Sequence, residues 1–206
     1  MRLQPVELRG VDVAVAARRA VLDSRCQVLA GAIRVAQAPA GGDQAAGAAR
    51  TPPPLDEGKV QSLQTIIKSD PKNAGAYVQL GNAYFDAEKY PDAIKWYEAG
   101  LKLDPKNPDA STDLGVSYYY SGRTDDALKQ FEHSLTLDPK HAKTLFNKGI
   151  VLAFGKRDLQ GATEAWQQVV QLAPGTPEAQ AAQQGLQGIA AAQGRAPAPS
   201  APPPGG

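Results

Sequence analysis

The sequence is poor in the residues from which most chemical sites are built. Its 206 residues include one cysteine, Cys26, and two histidines, His133 and His141. A single cysteine excludes an internal disulfide and a cysteine-rich zinc site. The two histidines are eight positions apart with Pro139 between them, so they do not share a helix face, and neither a metal nor another cofactor is expected. A glycine-rich phosphate loop with its Lys-Ser/Thr is also missing. The Asp125-Asp126 pair reads as a helix first turn, where carboxylates complement the dipole, and Cys26 has no neighbouring histidine to activate it. Catalysis is therefore not expected. The formal net charge is +1, so no global field recruits nucleic acid or an anionic membrane. Long hydrophobic runs are absent too: a membrane span needs about 18 apolar residues, whereas the best run, 11–17, contains Asp12 and meets Arg18-Arg19. The same run is a poor signal peptide despite Arg2 and Arg9 ahead of it. Read literally, the chain is cytoplasmic.

What is present falls into three parts. Glycine and proline, 20 and 17 in all, concentrate at 38–54 and 195–206. Residues 1–54 carry seven Arg and no Lys, whereas from Lys59 onward there are twelve Lys and three Arg. A helical stripe runs through Val11, Val15, Leu22, Cys26, Leu29 and Ile33, interrupted by Arg18, and predicts a marginal helix over 11–37. Residues 1–54 otherwise read as a disordered leader ending in a stiff Pro52-Pro53-Pro54 step. The abrupt compositional break also fits a miscalled start that replaces a genuine anchor or signal, in which case the protein is envelope-tethered or periplasmic.

Beyond the leader one pattern repeats. Gly81, Gly115 and Gly149 are spaced by 34 residues, as are Pro71, Pro105 and Pro139, with Pro174 coming 35 later. Ala93 and Ala127 are also 34 apart, and Ala162 comes after 35, so one extra residue is expected within 155–161. Each unit divides into two helices. Asn73 and Asn107 stand where an N-cap is needed, Pro91 stands near the start of a second helix, and Thr124 is placed to cap another. Ahead of the units, Val60, Leu63, Ile66 and Ile67 mark one face of a helix over 56–69, read as an amino-terminal cap. After them, Pro177 opens a helix reaching about Ala192, whose Gln180, Gln183, Gln184 and Gln187 suit a wet outer face. The expected layout is a leader at 1–54, a folded domain at 55–193 with units 74–107, 108–141 and 142–176, and a disordered Pro/Ala tail from 194.

The residues at fixed places in this frame resemble the tetratricopeptide repeat, or TPR, pattern. The first unit supplies Tyr77, Leu80-Gly81, Tyr84, Ala93, Tyr97 and Pro105. The second supplies Ser111, Leu114-Gly115, Tyr118, Ala127, Phe131 and Pro139. The third supplies Leu145, Lys148-Gly149, Leu152, Ala162, Trp166 and Pro174, departing from the pattern at the Leu and Tyr places. The resemblance implies an all-α solenoid of three helix-turn-helix repeats with an N-terminal half-repeat helix and a C-terminal capping helix. No helix pair buries its apolar face alone, so stacking supplies the core.

The family binds partner peptides in a concave groove lined by the first helix of each repeat. Carried over by position, that groove comprises Val78, Asn82, Phe85 and Asp86, then Asp109, Thr112, Val116, Tyr119 and Tyr120, then Lys143, Phe146, Ile150 and Phe154. This mixed surface with an aromatic centre suits a helix or extended segment with apolar anchors. Repeats that clamp the acidic tails of heat-shock chaperones use two Asn, two Lys and one Arg. Here Asn82 and Lys143 agree, but Val78, Asp113 and Asn147 fill the other places, and Asp113 repels a carboxylate. A closer resemblance, through residues 112–116, 143–150 and 155–158, is to bacterial envelope TPR proteins related to the cytochrome c biogenesis factor. The expected function is a non-catalytic scaffold for a protein or peptide partner, in envelope or cytochrome assembly; the alternative is a structural protein that associates with itself.

Overall fold

The computed structural model of the chain describes residues 52–194. The helix expected over 11–37, most of the leader and the tail from Arg195 lie outside the described residues. Among the described residues there are eight α-helices and no strands. In chain order they are α1 (Glu57–Ser69), α2 (Ala74–Asp86), α3 (Tyr90–Leu103), α4 (Pro108–Tyr120), α5 (Thr124–Leu137), α6 (Ala142–Ile150), α7 (Leu159–Leu172) and α8 (Pro177–Ala192). The pairs α2–α3, α4–α5 and α6–α7 stack in sequence, α1 covers the first pair and α8 covers the last. The fold is an all-α, TPR-like solenoid.

Helix starts are set by their caps. Asp56, Asn73, Asn107 and Asp158 accept from backbone N–H groups three residues on, at 2.9–3.0 Å, and Thr176 does the same for Ala179 at 3.2 Å. Each satisfies a donor that the first turn leaves open. Thr124 does not cap α5 as its position suggests. It is the first helical residue, and Arg123 before it makes no cap bond but pairs with Asp126 at 2.8 Å. In α1, Val60 and Leu63 are buried and Ile67 packs beside them, whereas Ile66 points outward.

The recurring glycines admit aromatic rings of the second helices. A Cβ at Gly81 would lie 2.6 Å from Tyr97, and one at Gly115 would lie 2.5 Å from Phe131. Trp166 is gripped from two sides: a Cβ at Gly149 would strike its pyrrole edge, and one at Gly185 of α8 would lie 2.5 Å from its benzo edge. Its indole N–H donates to the Phe146 carbonyl at 3.1 Å, so α8 is fastened to the third repeat by the ring that fastens the repeat itself. At the other end Trp96 lies between Tyr77 and Tyr84, with ring centroids 6.1 and 6.3 Å away.

The extra residue of the third repeat is taken up earlier than its expected position. Helix α6 widens into a π-helix over Val151–Lys156, the form a helix adopts when it holds one additional residue without breaking. The chain then reverses through Arg157 at φ 59. Glu88 (φ 57) and Gly122 (φ 80) hold the matching left-handed place in the earlier turns, so only one of three such positions carries the residue best suited to it.

Candidate functional site

The expected groove residues separate into two groups. Thr112, Val116, Phe146 and Ile150 are buried and face neighbouring helices rather than a ligand. Val116 belongs to a core cluster with Ala127, Phe131 and Val151. The reason is geometric: successive first helices touch one another along the same side that a groove would use, so large side chains there are spent on stacking. Val78 is half-buried and packs against Ala93, Ile94, Tyr97 and Leu114. Solvent reaches the remaining positions, Asn82, Phe85, Asp86, Asp109, Tyr119, Tyr120, Lys143 and Phe154.

Thr112 anchors a buried polar cluster that no spacing in the chain announces. Thr112 and Ser134 both donate to the Pro108 carbonyl, at 2.7 and 2.9 Å. Thr144 Oγ1 lies 2.6 Å from Thr112 Oγ1 and 3.0 Å from Ser134 Oγ. His141 Nδ1 is 2.6 Å from Thr144 Oγ1, and its Nε2 is 3.3 Å from Asp109 Oδ1. An acid, an imidazole and a hydroxyl thus stand in line, although sequence reading leaves Ser, His and Asp scattered. Thr144 has no exposed surface, so no substrate reaches its oxygen, and the array ties α4, α5 and α6 together.

Beside this cluster Lys143 pairs with Asp113 at 2.7 Å. Asp113 keeps 19% of its side-chain surface. Burial raises its carboxyl above the ordinary 3.8 and outweighs the pull of Lys143 in the other direction. Asp86 is likewise raised by burial, against the opposing pull of Lys59. Asn82 accepts from the Tyr97 hydroxyl at 2.7 Å, and Asn147 donates to the Lys143 carbonyl at 2.8 Å. The two positions that match a carboxylate clamp, Asn82 and Lys143, are therefore both engaged inside the protein.

The aromatic part gathers at the C-terminal ends of α2 and α4. Tyr90 and Tyr120 stack at 4.9 Å and 16°. Phe85 sets its edge to both, at 5.3 Å and 65° to Tyr90 and at 5.8 Å and 72° to Tyr120. Tyr119 tilts against Tyr120 at 5.8 Å. Tyr120 keeps 38% of its surface exposed. Tyr90, which the positional carry-over omits because it opens a second helix, completes the array.

A separate open cleft of about 440 Å³ lies between α3, α4 and α5, lined by Glu98, Leu101, Lys102, Pro105, Leu114, Tyr118, Gln130 and His133. Its Tyr118 donates to Glu98 at 2.8 Å and carries the Arg123 guanidinium 4.3 Å above its ring. Burial, then the Glu98 bond, pushes the phenol up to about 12.

Known proteins share this architecture. The model of the TPR repeat matches residues 81–122, and that of the tetratricopeptide repeat matches residues 108–141. The tetratricopeptide-repeat match thus spans residues 81–141. A crystal structure of MamA is similar at 21% identity and TM-score 0.58, over 66% of this chain and 77% of that one. The first TPR domain of Spaghetti (RPAP3), bound to the HSP90 peptide SRMEEVD, is similar at 26% identity and TM-score 0.54, over 61% and 96%. The type III secretion translocator chaperone SycD of Yersinia enterocolitica is similar at 22% identity and TM-score 0.55, over 58% and 93%. No curated protein sequence matches the chain. Among the described residues no helix is long and apolar enough to cross a membrane.

Proposed function

We propose that this TPR solenoid is a non-catalytic scaffold that holds a peptide or helix of another protein across the face formed by α2, α4 and α6. The observation that carries the reading is the ordered array of Phe85, Tyr90, Tyr119 and Tyr120. Tyrosines supply large contact area at little entropic cost and are enriched at binding hot spots. The RPAP3 domain holds an HSP90 peptide rich in carboxylates. The Lys143–Asp113 pair argues against a ligand of that kind here and for apolar or aromatic anchors. Work in envelope or cytochrome assembly is supported by sequence resemblance at residues 112–116, 143–150 and 155–158.

The test is affinity capture with the full chain and with a Phe85→Ala/Tyr120→Ala variant, then calorimetry on segments of the partner identified. Loss of at least tenfold in affinity, with the helical melt retained, supports the reading. Equal affinity for the two proteins refutes it.

A further inference from the structure

The open cleft between α3, α4 and α5 falls at a place that the repeat frame fills elsewhere in the molecule. Four residues that line it, Leu101, Leu114, Tyr118 and Gln130, stand 34 positions after Ile67, Leu80, Tyr84 and Trp96. In the first repeat those four close the junction with α1. Ile67, Tyr84 and Trp96 pack against the cluster that contains Leu80, and the Trp96 indole stacks on Tyr84 at 6.3 Å and 25°. One repeat later an amide replaces the indole. Gln130 donates its Nε2–H to Ser111 at 2.7 Å, and Ser111 stands at the place of Tyr77, the other ring beside Trp96. Two aromatic side chains are thus exchanged for polar ones, and an open cleft of about 440 Å³ is left. That volume lies in the range of ligand sites.

The following junction differs again. Lys148 stands at the place of Leu114 and Glu132 at that of Glu98, and their side chains are 3.8 Å apart. An ion pair there joins residues whose counterparts line the cleft. In the cleft itself Glu98 is already engaged, since it accepts from the Tyr118 hydroxyl at 2.8 Å. Lys102 and His133 also line it, and among the described residues neither side chain makes an ion pair. An ammonium and an imidazole can both donate to a carboxylate. Next to an apolar floor, they suit an aromatic side chain with an acid beside it.

We infer that this cleft holds an aromatic side chain of a partner protein at the place Trp96 takes in the first repeat, with a neighbouring Asp or Glu of that partner on Lys102 and His133. The site shares no residue with the Phe85 to Tyr120 array, so this inference and the reading of that array fail separately.

The test titrates the ¹⁵N-labelled full chain with the peptide acetyl-Gly-Glu-Trp-Glu-Gly-amide. Saturable shifts of the Leu101, Leu114 and Tyr118 amides are expected, and they should persist in Phe85→Ala/Tyr120→Ala. Shifts centred on Tyr119 and Tyr120, or none that saturate, overturn the inference. The peptide with alanine in place of tryptophan should bind about tenfold more weakly, as loss of a buried anchor implies; equal affinity overturns the aromatic pocket. Gln130→Trp supplies the missing ring from within. It should keep or raise the thermal midpoint and abolish the shifts, and undiminished binding by the folded variant overturns the inference. Should that variant unfold, the alanine peptide and Lys102→Glu decide. Lys102 is exposed, so Lys102→Glu should keep the helical melt and weaken binding about fivefold. Equal affinity there removes the acidic component and overturns the assignment.

Discussion

Gly115 and Phe131 show how much one residue decides. The ring occupies the place a Cβ would take, so Gly115→Leu should overpack the junction and cost about 1–3 kcal/mol. A circular dichroism melt with an unchanged midpoint would refute that packing. Asp113 is the residue whose charge works against the fold. Burial raises its folded carboxyl above 3.8, so the native state holds the proton more tightly than the unfolded chain does. Stability is therefore lost as pH rises from near 3.8 through the raised value. Asp113→Asn should flatten that slope, measured as urea midpoints between pH 3.5 and 7; an unaltered slope would assign it to another group. Gly81, Gly115 and Gly149 were legible because their spacing is regular. Gly185 was not, because it shares Trp166 with Gly149 and stands 36 residues beyond it. Thr112, Val116, Phe146 and Ile150 are buried at places carried over from the family's groove, because carry-over by position finds a helix face without telling whether a ligand or the next helix covers it.

At the level of elements, most of the helices and several of their caps could be read from prolines, asparagines and apolar periodicity. The hydroxyl cluster could not: Thr112, Ser134 and Thr144 lie on three helices at no regular spacing. Thr144→Val should leave Thr112, Ser134 and His141 short of a partner and cost about 1–3 kcal/mol. Hydrogen exchange should quicken in α6 more than in α2, and uniform acceleration would argue against a local tie. The turn after the π-helix offers the opposite case. Arg157 adopts a conformation that costs an L-residue roughly 1–2 kcal/mol, part of which a glycine returns as chain entropy. Arg157→Gly should raise stability by up to about 1 kcal/mol, seen as a higher thermal midpoint.

Across the whole molecule, stability comes from each pair resting on the next, so the end helices matter beyond their own contacts. Gly185→Leu should lift α8 off Trp166 and lower the thermal midpoint by several degrees, as about 1–3 kcal/mol of overpacking implies. A native-like midpoint would show that α8 is dispensable. The three-repeat architecture was legible from a 34-residue period together with the Gly, Ala, aromatic and Pro residues at fixed places in it. The distribution of its surface between packing and binding was not, since that depends on how closely neighbouring first helices approach. The two tryptophans give the solenoid a further property. Trp96 lies among the rings of the first repeat and Trp166 under the final helix, so the protein carries one optical reporter near each end. With Trp96→Phe the emission tracks the C-terminal end alone, and with Trp166→Phe the N-terminal end alone. Whether the array melts as one unit or frays from a side is then visible as one midpoint or two.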